Sequence, residues 1–331
     1  MKTSLVLAAS FGLTLANLRP RPPGKVAVQD WAPWNLRAVS HRSPPTALWP
    51  TAWRNFKYNY RDWAGDETYY VYVMDTGIRT THQELEGRAE NLFTLFKTAD
   101  GEDDFEDRSG HGTHVAGIVA SKAYGVAKKA RVVSVKVLDE SNTGLTSQMI
   151  KGFHAAVNDI IKKGRFNNAV VNLSLAGPCS AAWNAAVDRA LNHRDGSKPG
   201  AVLTVASAGN EKMNAESCSP ASASRAITVG SIRSDWRMAP SSNFGAKVNI
   251  LAPGANIVSL SHESDSETAT MSGTSMAAPH VAALALNAMS VFGRASHQVP
   301  LFLQETCTKD KVKGDLRGSP NALVNNNTKK Q

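Results

Sequence analysis

Cysteine is scarce in this chain, which has three of them, Cys179, Cys218 and Cys307, among 331 residues. None shows a Cys-x-x-Cys or Cys/His spacing, so the sequence indicates no structural zinc site. No motif for a cysteine nucleophile accompanies them either. An odd number of cysteines leaves at least one thiol unpaired within a monomer.

Long apolar runs and clusters of basic residues are also missing. After the N-terminus, no segment is long and apolar enough to span a membrane. The formal net charge is +9, but the basic residues are scattered and are not interleaved with aromatic residues. A charged, solvated surface explains this balance. We therefore expect neither nucleic acid nor a membrane as a partner, and we expect a monomer.

The first 26 residues have the pattern of a leader and a linker. Lys2 precedes an apolar run from Leu5 to Ala16 that ends in small residues, which predicts a signal peptide, residues 1–16. Residues 17–26 are rich in proline and carry no period, so they indicate a linker or the remnant of a pro-segment. We expect residues 27–331 to form a single secreted, extracellular domain.

Strand-like and helix-like segments alternate through that domain. Apolar runs predict strands at 69–74, 131–138, 169–175 and 201–206, and helical periods predict helices at 111–121, 148–163, 181–192 and 275–289. This alternation predicts an α/β fold, with a parallel sheet, helices on both faces, and sites at the carboxyl ends of strands. We expect Pro279 in the first turn of the last helix, where its missing N–H costs no hydrogen bond.

Three glycine-rich stretches each carry one residue of a hydrolytic relay: Asp75-Thr76-Gly77, Gly110-His111-Gly112 and Gly273-Thr274-Ser275. A serine hydroxyl is a weak nucleophile near neutral pH unless a base takes its proton and an anion orients that base. Asp75, His111 and Ser275 supply acid, base and nucleophile. Their chain order, Asp, His, Ser, differs from the orders of trypsin-type enzymes and α/β-hydrolases.

At these residues the chain resembles the subtilisin-like serine peptidases, and in particular the proteinase K-type branch secreted by fungi. The resemblance covers roughly residues 27–325, and it includes Ala206–Asn210 and the start Ala27–Leu36. It implies a subtilisin-like three-layer fold with a mostly parallel central sheet. It also implies a serine endopeptidase that cleaves proteins and peptides through an acyl-enzyme and requires no cofactor.

The resemblance assigns further site residues. Asn210 is implied as a side-chain donor to the oxyanion, beside the amide of Ser275. The substrate-binding residues implied are Asn142, Thr143, Gly144, Ser174, Leu175, Ala176, Gly177, Ala206, Ser207, Ala208 and Gly209. Relatives have glycine at the positions of Asn142 and Ala176, so the subsites differ there. The small residues from 206 to 209, with no acid seen near Ala176, predict cleavage after large apolar residues.

The expectations for metal and for disulfides also rest on the resemblance. The family binds calcium strongly through an aspartate, but the matching residue here is Asn249, which brings no charge and should weaken the site. The acidic run Glu102–Asp107 favours a solvated loop over a calcium site. In the family fold Cys179 and Cys218 lie beside the substrate pocket, and we expect a disulfide between them, with Cys307 left as a free thiol.

Two alternatives stay open. A processing peptidase of the kexin type would need acidic residues in the pocket and a following β domain, and the sequence shows neither. An inactive binding or decoy homologue is disfavoured by the complete set of Asp75, His111, Ser275 and Asn210. The change at Asn249, and the lack of the inhibitory chaperone segment that the family places before its peptidase domain, keep that second alternative open.

Overall fold

Strands and helices alternate along the chain. The computed structural model describes residues 24–45, 56–63, 66–192, 194–195 and 198–328. The helices in these ranges are α1 (Trp34–Ala38), α2 (His111–Ala120), α3 (Thr146–Lys162), α4 (Ala181–Leu191), α5 (Thr274–Ser290) and α6 (Val299–Thr306), with short 3-10 turns at Gln83–Leu85, Ala215–Ser217 and Ser296–Gln298. The strands are β1 (Val26–Gln29), β2 (Tyr58–Arg61), β3 (Tyr70–Asp75), β4 (Ala89–Thr94), β5 (Arg131–Lys136), β6 (Ala169–Leu173), β7 (Gly177–Pro178), β8 (Arg194–Asp195), β9 (Lys198–Pro199), β10 (Leu203–Ser207), β11 (Cys218–Ser219), β12 (Ile227–Ile232), β13 (Ile250–Pro253), β14 (Ile257–Leu260), β15 (Thr268–Met271), β16 (Thr308–Lys309) and β17 (Ala322–Leu323).

The central sheet has nine strands in the order β16-β17-β13-β12-β10-β6-β3-β5-β4. The pairs from β17 through to β4 are all parallel, and β16 pairs antiparallel with β17 at one edge. The predicted α/β class with a mostly parallel sheet is confirmed. The predicted signal peptide, residues 1–16, and residues 17–23 of the linker lie outside the described residues. Among the helices described, none is long and apolar enough to cross a membrane.

The sequence of β3 explains why helices cover both faces of the sheet. Val71 and Val73 belong to one buried core together with α2 and α5, whereas Tyr72 and Met74 belong to a second core with α3 and α4. Successive side chains of a strand point to opposite faces, so an uninterrupted apolar strand needs cover on both sides. All four side chains are buried, and the sheet forms the middle of three layers.

Helix α5 is buried along almost its whole length, since every residue from Met276 to Ser290 is buried. Pro279 is its sixth residue, so the expectation of a first-turn proline is wrong. Proline has no N–H to donate, and the carbonyl of Ser275, four residues earlier, loses its usual helical partner. The hydroxyl of Ser174 donates to that carbonyl at 2.7 Å, so a residue just after β6 replaces the missing donor.

The predicted Cys179–Cys218 disulfide is wrong, because all three cysteines are free thiols. Strands β7 and β11 pair antiparallel with Cys218 opposite Pro178, so Cys179 is one residue out of register. Neighbouring strand positions face opposite sides. Accordingly Cys218 is buried, where Asn243 Nδ2 donates to its Sγ at 3.3 Å, and Cys179 is exposed. Cys307 is a buried free thiol, as expected.

Thiol titration tests this arrangement. One thiol, Cys179, should react rapidly with Ellman's reagent in the folded protein, and all three should react in guanidinium without reductant, since burial shields Cys218 and Cys307 only while the chain is folded. The melting temperature should not change when dithiothreitol is added. A single reactive thiol in the denatured, unreduced protein would instead demonstrate a disulfide.

Candidate active site

The candidate site lies where the central strands end. Asp75 is the last residue of β3, which lies between β5 and β6 in the sheet. Ser174 follows β6 directly, and Ser207 ends β10, the next strand along. The carboxyl ends of parallel strands meet at one edge of a sheet, which is where ligands bind in folds of this class. The structure therefore gathers segments far apart in sequence at this edge.

A short hydrogen bond joins Asp75 to His111. Asp75 Oδ1 lies 2.7 Å from His111 Nδ1 and also accepts from the backbone N–H of Thr76 at 2.8 Å. The Asp75 side chain is fully buried, and no hydrogen-bond partner for its Oδ2 is found among the described residues. A carboxylate on Nδ1 leaves Nε2 as the basic nitrogen, which is the tautomer a general base requires.

Two glycines place His111 at the start of α2. Gly110 precedes the helix with φ of 83°, a left-handed conformation that favours glycine, and a Cβ there would collide with the imidazole of His262. A Cβ on Gly112 would overlap the carbonyl oxygen of Gly77. Gly112 therefore lets the helix begin in direct contact with the turn that follows Asp75, and Gly110 leaves room for His262.

The environment of His111 acts on its imidazole in two opposite ways. Burial disfavours the charged form and is the largest single influence, whereas the charge of Asp75, its hydrogen bond and the charge of Asp107 favour the charged form. Together, the three favourable contributions outweigh the effect of burial and hold the pKa of His111 above its ordinary value. The imidazolium formed by proton transfer is therefore stabilised at this position.

Ser275 is the second residue of α5 and is half-buried. Its hydroxyl donates to the carbonyl of Ser174 at 3.1 Å, and in the described part of the chain no hydrogen bond joins it to His111. Such contacts are often long in a free enzyme and tighten when substrate binds. For His111 to take the hydroxyl proton, Ser275 Oγ has to exchange the Ser174 carbonyl for His111 Nε2.

The amide of Asn210 has a fixed orientation. Its Oδ1 accepts from the backbone N–H of Thr274 at 2.8 Å and from the Thr274 hydroxyl at 3.2 Å. A backbone N–H can only donate, so the oxygen must face Thr274 and Nδ2 remains free as a donor. Asn210 thus offers an N–H beside the residue that precedes Ser275.

Asn243 braces the loop that carries Asn210, and the sequence analysis missed it. This side chain is fully buried. Its Nδ2 donates to Ala208 O at 2.9 Å and to Glu211 Oε2 at 2.7 Å, while its Oδ1 accepts from the N–H groups of Glu211 and Met213. These bonds span about 30 residues of sequence, so no local pattern around Asn243 could have revealed them.

A cleft of about 340 Å³ runs from Ser275 across the strand ends. Its lining comprises Leu138, Asn142, Thr143, Gly144, Thr146, Met149, Ser174, Leu175, Ala176, Gly177, Pro178, Ser207, Gly209, Asn210, Glu211 and Ser275. Most of the expected substrate-binding residues are among them. Ala206 and Ala208 do not line the cleft, because both are buried: Ala206 belongs to the core with α3 and α4, and Ala208 to the core with α2 and α5. Asn142 has φ of 61°, a conformation that asparagine tolerates better than most residues and that glycine adopts freely.

Glu211 contradicts the expectation that the pocket lacks an acid. It lines the cleft and is exposed, with one carboxylate oxygen accepting from Asn243. The sequence contained a signal for it, since Glu211 directly follows Asn210. Leu138, Thr146 and Met149 were also missed, and they add apolar or small surface at the other end of the cleft.

Neither position considered for calcium gathers a set of free carboxylates among the described residues. Asn249 Oδ1 accepts from the N–H of Thr228 at 2.7 Å, and the adjoining pocket contains the cation Arg225. In the acidic run, Asp103 pairs with Lys97, and Asp104 and Glu106 both pair with Arg108. Within the described ranges, no cluster of three or more His, Cys, Asp or Glu residues could hold a metal.

Comparisons with known proteins place this geometry in a family. The sequence profile of the subtilase family, peptidase S8, matches residues 66–320. The chain belongs to the subtilase family. It is 41% identical over 293 residues to the alkaline proteinase of Hapsidospora chrysogena, covering 88% of this chain and 67% of that protein. It is 37% identical over 304 residues to the cuticle-degrading serine protease of Arthrobotrys oligospora, covering 91% and 69%.

A solved structure agrees with this assignment. The crystal structure of a cold adapted subtilisin-like serine proteinase superposes with a TM-score of 0.73 at 31% identity, covering 90% of this chain and 99% of that one. The subtilisin-like fold and the resemblance to fungal proteases are thereby confirmed. This subtilase is a serine-type endopeptidase, and proteins are its substrates.

Thermal unfolding with and without a chelator tests the calcium conclusion. EDTA should leave the melting temperature unchanged, because an ion that the folded protein does not bind adds nothing to its stability. Asn249→Asp serves as the comparison, since it restores a carboxylate at the one position expected to bind calcium. A large drop with EDTA in the unsubstituted protein would contradict this expectation.

Proposed function

We propose that this subtilase is a secreted endopeptidase in which Ser275 is the nucleophile, His111 the general base and Asp75 the residue that orients and stabilises the imidazole. The observation that carries the proposal is the 2.7 Å contact between the buried Asp75 and His111, at the same end of the sheet as Ser275. The leader pattern in residues 1–16 supports secretion. The basic residues are scattered along the sequence, which favours peptide substrates over nucleic acid or a membrane surface.

In the proposed reaction, Ser275 Oγ attacks the scissile carbonyl carbon while its proton passes to His111 Nε2. The electron pair of the carbonyl moves to its oxygen, where Asn210 Nδ2 and the N–H of Ser275 donate to the resulting oxyanion. The oxyanion then re-forms the carbonyl, the C–N bond breaks, and the leaving nitrogen takes the proton from His111, so an acyl-enzyme remains. Water, activated by the same imidazole, hydrolyses the acyl-enzyme. None of these steps requires a cofactor.

The cleft supports a preference for large apolar residues before the scissile bond. Five of its lining residues offer apolar side chains, namely Leu138, Met149, Leu175, Ala176 and Pro178. A substrate side chain that packs against them gains free energy in proportion to the apolar surface that is buried. Glu211 supplies a carboxylate in the same cleft, so a basic residue is tolerated as a second choice. This one acid does not make the cleft a dedicated site for paired basic residues.

Replacement of the serine tests the catalytic assignment. Ser275→Ala should abolish labelling by a fluorophosphonate probe and lower kcat on casein by on the order of 10⁶, the loss measured for a subtilisin without its serine. Ser234→Ala, an exposed serine after β12, is the matched control and should keep full labelling. Labelling that persists in Ser275→Ala would refute the assignment, and an unlabelled wild-type protein would support the decoy alternative.

Cleavage-site profiling of a peptide library tests the specificity. Phe, Leu and Tyr should dominate before the scissile bond, with Lys and Arg present at a lower level. Glu211→Gln removes the charge at constant size, so it should reduce cleavage after Lys roughly 10-fold while cleavage after Phe changes little. A wild-type profile dominated by paired basic residues would favour the processing-peptidase alternative.

A further inference from the structure

Asp107 is a buried carboxylate of the active-site region that the reaction itself does not use. It lies in the loop before α2 and is 5% exposed. Its Oδ1 accepts from Thr76 Oγ1 at 2.7 Å and from the N–H groups of Gly110 at 2.8 Å and Ser109 at 3.2 Å. Its Oδ2 accepts from the N–H of Thr113 at 2.9 Å and from the Thr113 hydroxyl at 2.6 Å. All the donors lie within two residues of Asp75 or His111 in sequence.

These bonds tie the aspartate strand to the histidine helix. Thr76 donates its N–H to Asp75 and its hydroxyl to Asp107, and it accepts from the N–H of Gly112. No side chain of the Gly110 cap position can serve the free amides at the start of α2. Thr76 and Asp107 satisfy the amides of Gly112 and Thr113 instead. The relative position of Asp75 and His111 thus depends on one carboxylate between them.

Asp107 also places a second negative charge near the imidazole. The charged and titratable groups around the two residues are Asp75, Arg108, His114, Lys136 and His262. His114 is buried with its pKa lowered to about 4, so it adds no positive charge near neutral pH. Lys136 donates to the carbonyl of Thr76, and Arg108 pairs with Asp104 and Glu106.

We propose that Asp107 is a positioning residue for the His111 base, which holds β3 and α2 together and stabilises the imidazolium formed during catalysis. This inference rests on the proposed roles of Asp75, His111 and Ser275. When the Ser275 O–H bond breaks, the oxygen keeps the electron pair and attacks carbon, and the proton leaves a cation on His111. Two buried carboxylates then face that cation, one in direct contact and one through Thr76 and the start of α2.

The test is the pH dependence of kcat/KM on a neutral peptide anilide, whose acid limb reports the pKa of the base in the free enzyme. Asp107→Asn removes one anion, so the imidazolium is less stable and His111 stays neutral to lower pH. The acid limb should move down by roughly 0.5–1 pH unit. The plateau should fall about 10- to 100-fold, because the asparagine amide cannot accept from both Thr76 and Thr113 and the geometry relaxes.

Asp104→Asn is the matched control. Asp104 is on the same loop and is 8% exposed, but it pairs with Arg108 and contacts neither Thr76 nor Thr113. Its substitution should leave the acid limb in place. Thr113→Val removes the hydroxyl that donates to Asp107 and accepts from the N–H of Arg79, without removing charge, so it should lower the plateau and leave the acid limb unchanged. Together the two variants separate the effect of the Asp107 charge on the acid limb from the effect of its hydrogen bonds on the plateau.

An Asp107→Asn enzyme whose acid limb stays at the wild-type pH overturns the inference, as does an equal shift in Asp104→Asn. If Asp107→Asn does not fold, Asp107→Ser takes its place, since a serine hydroxyl can cap the helix amides without charge and the same shift is expected. If kcat/KM of the wild-type enzyme shows no acid limb in the pH range where a histidine titrates, the proposed function is refuted instead. Failure of the inference about Asp107 and failure of the proposed function therefore give different results.

Discussion

A buried carboxylate at the end of a central strand determines how the rest of the site is built. Removing an ionised group such as Asp75 from water costs several kcal/mol unless hydrogen bonds replace the lost hydration. The donors found here are the N–H of Thr76 and the imidazole of His111. The second donor belongs to a different element, so α2 must begin within hydrogen-bond distance of β3. The glycine at 112, which lets the helix touch the Gly77 carbonyl, is a consequence of that requirement.

The other reactive groups are oriented by neighbours that do not react. Thr274 fixes the amide of Asn210, Asn243 holds the loop behind it, and Ser174 bonds reciprocally with Ser275. Donors fixed before substrate arrives need no reorganisation as negative charge develops, which is how such sites lower a barrier. Burial of α5 on all sides adds rigidity. Small changes at Asn243 or Ser174 would therefore reach the reacting atoms through very few bonds.

Sequence periodicity predicted the elements well but not the contacts between them. The strand expected at 69–74 is observed at Tyr70–Asp75, and the helix expected at 148–163 at Thr146–Lys162, because both patterns record which side chains are buried. The motifs also singled out Asp75 and His111, which the structure brings into hydrogen-bond contact. Long-range bonds such as those of Asn243 leave no local pattern. The cysteines also show what the sequence cannot predict. Strands β7 and β11 do pair, but Cys179 and Cys218 are offset by one residue, so Cys179 is exposed and Cys218 is buried.

The acidic run shows why composition alone could not assign function to its members. Asp103 forms an exposed pair with Lys97, the kind of interaction that contributes little to stability. Asp104 is nearly buried, and its hydrogen bond from Arg108 holds its pKa below the ordinary value against the effect of burial. Asp107, three residues later, forms no ion pair with the described residues, although the charge of Lys136 lies within its reach, and its hydrogen bonds come from hydroxyl and amide donors. The three aspartates therefore differ in role although they are the same residue type: Asp103 is a solvated charge, Asp104 a structural ion pair, and Asp107 a carboxylate placed to act on His111. Burial and the identity of the hydrogen-bond donors make the difference.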